Sequence, residues 1–93
     1  MKSLLLATTL LILSSCVTVE LSPEGQKVKT ISPIIAQSCK HIGLTRGYFE
    51  TALGAEILVR NRAARMGGNS LLPTSQGVSA EWYEIVAEVY KCD

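Results

Sequence analysis

The chain has 93 residues, with nine Lys+Arg against eight Asp+Glu and a formal net charge of +1. This near balance excludes the strong basic excess of a nucleic-acid binder. The length supports one small domain with a thin core and is too short for two.

In chain order, Lys2 supplies a positive start and residues 4–13 (LLLATTLLIL) form an apolar run. The run is too short for a membrane span, which needs ~20 residues, and predicts an export signal instead. It is followed by Leu13-Ser14-Ser15-Cys16, which resembles the lipobox of bacterial lipoproteins: an aliphatic residue, two small residues and the cysteine that receives lipid. The small residues let a peptidase hold the extended backbone close to its catalytic groups. Cleavage is expected between Ser15 and Cys16, leaving residues 16–93 as one domain. Cys16 is expected to carry a covalent diacylglyceryl group and an N-acyl chain. At ~0.8 kcal/mol per buried methylene, several chains hold a protein on a bilayer without spanning it. Val17 stands where an Asp would resemble an inner-membrane retention signal. The expected location is therefore the outer membrane, with the domain on its periplasmic face, or the cell membrane where the envelope has a single bilayer. Loss of Lys2 leaves eight Lys+Arg against eight Asp+Glu in residues 16–93.

Beyond the anchor, Val17, Val19 and Leu21 alternate with polar residues as on a strand. Ser22-Pro23-Glu24-Gly25 has Pro and Gly where a type I turn places them. Residues 27–31 form a second expected strand. Ser32-Pro33 reads as an N-cap with proline at the first helical position, predicting a helical turn over 34–37. A further strand is expected over 39–45, with Gly43 and Gly47 bracketing a loop toward Tyr48 and Phe49. Residues 50–66 give the clearest helix. Ala52, Ala55, Val59, Ala63 and Met66 share one face, Glu56 and Arg60 sit in the favourable i,i+4 order, and Gly67-Gly68 ends the helix. Arg60, Arg62 and Arg65 read as a solvated face. A short strand over 70–72 precedes an expected turn over 73–77. Residues 80–91 fit both a strand, with Tyr83, Ile85, Ala87 and Val89 on one side, and a helical stripe; their β-branched and aromatic content favours the strand.

Three cysteines are present. If Cys16 carries lipid, Cys39 and Cys92 remain, and in an oxidising compartment two such residues are more often joined than free. Free thiols or a metal site are the alternatives. Cys39, His41 and Cys92 would suit zinc or copper, although no fourth ligand is evident, so the expectation is no metal and no cofactor beyond the lipid. Nucleophilic catalysis needs a nucleophile with an oriented base. His41 is the only histidine, and no Gly-x-Ser-x-Gly elbow accompanies it. Glu81, Glu84 and Glu88 read as a solvated strand edge rather than an acid–base pair. No catalytic residues are expected, and an envelope hydrolase acting through His41 is the weakest reading.

Cys39-Lys40-His41-Ile42-Gly43, the helix ending at residues 60–69 (RNRAARMGGN), the closing Val89-Tyr90-Lys91-Cys92 and the lipobox together resemble the lipoprotein family called domain of unknown function 4156. More distantly they are similar to the outer-membrane lipoproteins that sense envelope stress for the Rcs phosphorelay. The resemblance implies an α+β domain: one main helix packed across a small, mostly antiparallel sheet, with Cys39 bridged to Cys92 and a terminal strand. It supplies no active site. The stress sensors have a further disulfide and a long stretch after the anchor, both missing from the pattern here, which argues against transfer of their signalling role.

The function expected from the sequence is therefore a non-enzymatic lipoprotein, held to a membrane through Cys16 and acting by binding or structural support. An envelope protein is the expected partner; neither nucleic acid nor a small-molecule substrate is indicated. Among the aromatic residues, Phe49 and Tyr83 are expected in the core. Trp82, at a strand entrance, is the candidate partner contact, because exposed aromatics are frequent anchors at interfaces.

Overall fold

A computed structural model describes residues 19–79 and 81–93. The export segment, the cleavage point at Ser15 and Cys16, and the lipidated Cys16 lie outside the described residues. So does Val17, the start of the first expected strand; its remainder, from Val19, is not strand.

The fold is α+β. A 3-10 turn, Gly25–Lys27, leads into strand β1 (Lys29–Thr30), helix α1 (Pro33–Ala36), strand β2 (Lys40–Phe49), helix α2 (Ala52–Arg65), strand β3 (Ser70–Ser79) and strand β4 (Trp82–Lys91). The sheet order is β1-β3-β4-β2. β4 is antiparallel to both long neighbours, from Lys40↔Lys91 to Phe49↔Tyr83 on one side and from Ser70↔Tyr90 to Ser79↔Trp82 on the other. β1 adds a short parallel edge through Lys29↔Ser70 and Thr30↔Leu71. The sheet thus has two ends: a disulfide end, where Cys39 is bonded to Cys92, and a hairpin end at Ser79 and Trp82.

Local chemistry explains most element boundaries. Ser32 caps α1 by accepting from the Ile35 N–H, with Pro33 at the first position, as its sequence predicts. Thr51 caps α2 by accepting from the Gly54 N–H at 3.0 Å. At the other end of α2, Gly67 adopts φ +91°, and the Gly68 N–H donates to Ala63 O while Gly67 N–H donates to Ala64 O. This is the paired closure that a left-handed glycine permits.

Two expected breaks are continuous strand. Gly43 and Gly47 are not loop brackets; they lie within β2. A Cβ on Gly47 would stand 2.8 Å from Ala55 O and 2.9 Å from Val59 Cγ2, and one on Gly43 would stand 3.0 Å from Met66 Cε. The glycines therefore seat α2 against the strand, the close approach that glycine in a strand often marks. The expected turn over 73–77 is likewise inside β3. Proline is tolerated there because β1 covers only Ser70 and Leu71, leaving Pro73 on a free edge where no ladder N–H is required; the register also shifts between Pro73 and Ser75.

The core is small: Val28, Val59, Ala63, Leu71, Ala87 and Val89, with Ile42, Ala64 and Ile85 packed beside them. Ala55, Val59 and Ala63 of α2 are buried as their spacing predicts, but Ala52 and Met66 at the two ends of that stripe are exposed. The helix, expected over 50–66, runs over Ala52–Arg65, two residues shorter at its start and one at its end. Phe49 is half-buried, its ring lying over Gly54, where a Cβ would stand 2.0 Å from Phe49 Cδ2.

Candidate contact surface

Most of the titratable residues singled out from the sequence have a defined partner. The disulfide joins Cys39 to Cys92 across 53 residues. Both sulfurs are spent in that bond, so the alternative in which Cys39, His41 and Cys92 hold a metal does not fit this arrangement. His41 is exposed; its Nε2–H donates to Glu88 Oε1 at 2.5 Å and its ring meets Tyr90 edge-on at 5.2 Å. Arg46 pairs with Glu84 at 3.5 Å. Glu84 and Glu88 are therefore not on a solvated edge: β4 is an interior strand, and both carboxylates reach across to β2 on the sheet face opposite α2. Glu81 lies in the turn before β4.

The arginines of α2 also depart from a purely solvated face. Arg60 donates to Val28 O and pairs with Glu56, and Arg62 donates to Arg46 O. These bonds tie the helix to the chain segments on either side of it; Arg65 remains exposed. Two asparagines act similarly and were not legible in advance. Asn61 accepts from Ser22 N–H at 2.9 Å and Ser22 Oγ at 3.0 Å, and donates to Glu20 O at 2.9 Å. Asn69 exchanges two bonds with the Cys92 backbone, at 2.7 and 2.8 Å. The first residues of the domain and its last strand are thereby pinned to the same end of α2.

The hairpin end is built differently. Because α2 lies mainly over β2 and β4 and β1 is only two residues long, the inner face of β3 beyond Leu71 has no cover. A groove of ≈ 490 Å³ results, lined by Ala52, Leu53 and Glu56 on the helix and by Val78, Tyr83 and Ile85 among others on the hairpin. Leu53 is 67% exposed and Val78 69%. A smaller hollow of ≈ 130 Å³ sits beside it, between Tyr48, Val78 and Trp82. Tyr48 is 51% exposed and Trp82 49%. Trp82 is thus where its position at the strand entrance predicts, half open to solvent beside a second aromatic. Tyr83 points to the opposite side of β4 and lines the groove, only partly buried. The sequence carried one unused signal for this groove: Leu53 and Val78 are apolar residues outside both expected stripes.

No family model matches the chain, and no curated protein matches its sequence. Two solved structures share its fold. The C-terminal domain of ydgH, a Salmonella enterica protein described as periplasmic, is similar with a TM-score of 0.59 at 20% identity, covering 70% of this chain and 100% of that one. The solution structure of the secreted protein STM0082 of Salmonella typhimurium LT2 is similar with a TM-score of 0.53 at 14% identity, covering 84% of this chain and 72% of that one.

Proposed function

We propose that this chain is a non-enzymatic lipoprotein of the bacterial envelope, anchored to the outer membrane through lipid on Cys16, whose hairpin end contacts an envelope protein. The observation that carries the contact is the exposure of Tyr48, Leu53, Val78 and Trp82 around one end of the sheet, since clustered exposed apolar and aromatic side chains mark interaction sites. Several features support the reading as a whole. The signal segment and lipobox agree with an exported, lipid-anchored domain, and the Cys39–Cys92 bridge agrees with an oxidising compartment. The two structural neighbours carry periplasmic and secreted descriptions. The oxidation of both Cys39 and Cys92 removes them as nucleophiles and metal ligands, which supports binding over thiol or metal chemistry. Kinship with the lipoprotein family called domain of unknown function 4156 belongs to this reading and rests on the short motifs that suggested it. A role in envelope-stress signalling is its most extended form.

A photo-crosslinking amino acid placed at position 82 in intact cells tests the contact. The reading predicts capture of one envelope protein from position 82 and not from position 65, on the last turn of α2. Failure to capture a protein from position 82, or the same set from both positions, contradicts it.

A further inference from the structure

Between Cys16 and the end of the chain there are four lysines, Lys27, Lys29, Lys40 and Lys91, and the fold gathers all four at the disulfide end. Lys27 and Lys29 line one hollow with Asn69, Ser70, Cys92 and Asp93. Lys40 and Lys91 face each other as register partners, next to the Cys39–Cys92 bridge. All four are exposed. α1, which leads directly into Cys39, presents Ile34 at 79% and Ile35 at 51% exposure. Arg65, also exposed, lies on the last turn of α2, beside Ser22 and Glu24.

The chain enters the domain at this same end. Among the described residues, Glu20 and Ser22 are the earliest that hydrogen-bond to it through a side chain, both through Asn61. Four residue steps separate Glu20 from Cys16, and an extended chain covers at most ~3.6 Å per step. A lipid on Cys16 therefore keeps Glu20 at most about 14 Å from the bilayer surface, under two Debye lengths of ~8 Å at physiological ionic strength, and a less extended tether brings the end closer still. β4 runs the other way: its ten residues, at ~3.3 Å each, carry Trp82 about 30 Å from Lys91.

We infer that the disulfide end, through Lys27, Lys29, Lys40 and Lys91 with Ile34 and Ile35, rests on the anionic phospholipid surface to which Cys16 is tethered, and holds the hairpin end away from it. The inference depends on the proposed anchor. Charge complementarity identifies the occupant: basic residues near a bilayer are drawn to anionic headgroups, and exposed apolar side chains among them settle at the headgroup boundary. Glu20, Glu24 and Asp93 share this end and reduce its excess of positive charge without reversing it. The hairpin end has no lysine, and Glu50 and Glu81 flank it.

The test uses the lipidated protein in vesicles of phosphatidylcholine with phosphatidylglycerol, and in vesicles of phosphatidylcholine alone. Flotation with the vesicles reports the anchor. Amine labelling, read peptide by peptide, reports the lysines, and acrylamide quenching reports Trp82. The expected result is labelling of the four lysines roughly fivefold or more slower on the anionic vesicles, the shift that one surface-held lysine supplies, with Trp82 equally quenched on both. Replacing the four lysines with Gln should leave flotation intact and remove the protection that anionic vesicles give residues 20–40 against proteolysis. Equal labelling on both vesicles, or shielding of Trp82 instead, with flotation intact, overturns the orientation and leaves the anchor standing. Failure to float overturns both.

Discussion

Gly47 lies in β2 with Ala55 O and Val59 Cγ2 within 3 Å of any added Cβ. Both neighbours belong to the helix backbone or the core, and neither can swing away. Gly47→Val should therefore cost about 1–3 kcal/mol through overpacking, measured by urea denaturation. Gly67 and Gly68 give a sharper contrast. A Cβ on Gly67 meets nothing within 4 Å, and only its positive φ resists substitution; a Cβ on Gly68 would meet Val89 Cγ1 at 2.3 Å. Gly67→Ala should cost ~1–2 kcal/mol, the penalty of a left-handed residue. Gly68→Ala, whose φ is not positive, should cost more through contact alone, because the helix end must lift from Val89. A loss no larger than that of Gly67→Ala would show that the helix end yields cheaply. At Trp82, half exposed and outside the core, Trp82→Ala should change stability by no more than about 0.5 kcal/mol while weakening capture of the partner protein by a crosslinking amino acid placed at the neighbouring position 48.

The elements show where sequence reasoning reaches its limit. The α2 stop, the Ser32-Pro33 turn and the choice of strand for residues 80–91 follow from local chemistry, and they form much as that chemistry predicts, the strand over Trp82–Lys91; the Thr51 cap of α2 is not among those expectations. The errors have one origin. Gly43, Gly47, Pro73 and Gly77 punctuate loops in most chains, but here each lies within a strand whose pairing with β4 is set at long range. A glycine that seats a helix and a glycine that makes a turn are identical in sequence. The ends of the α2 stripe failed for a related reason: Ala52 and Met66 have the right spacing, but Ala52 lines the open groove and Met66 is the C-cap, and both stay exposed. The contact surface was legible only at Trp82. Its groove arises because β1 stops after two residues and α2 leaves β3 bare, and both facts are tertiary. At this scale the sheet-face ion pairs, Arg46 with Glu84 and His41 with Glu88, contribute little. Glu84→Gln should alter stability by at most ~1 kcal/mol, whereas a larger loss would mean that the cross-strand pair organises β2.

Taken whole, the domain compensates for a meagre interior with a covalent link. Its core cluster has six buried residues, two of them alanine, and small domains of this kind often need a staple. The Cys39–Cys92 bridge joins the start of β2 to the end of β4 over a separation of 53 residues. In the chain-entropy description a loop of that size is worth about 4 kcal/mol. The Cys39→Ser, Cys92→Ser double variant should lose most of the domain's stability and unfold near ambient temperature; a loss below ~1 kcal/mol would show that the sheet and α2 suffice alone. The same bridge marks the end where Asn61 and Asn69 hold the chain's entry and exit, and it lies far from the apolar hairpin end. On the proposed reading, this polarity would give the domain one side for the membrane and another for a partner.

The most direct measurement of the anchored-domain account is the intact mass of the native protein extracted from membranes. The account predicts a chain beginning at Cys16, heavier than the polypeptide of residues 16–93 by a diacylglyceryl group and an N-acyl chain, less the hydrogens lost in forming the Cys39–Cys92 bridge. A protein that begins at Met1, dissolves without detergent and has the mass of the bare polypeptide would contradict it.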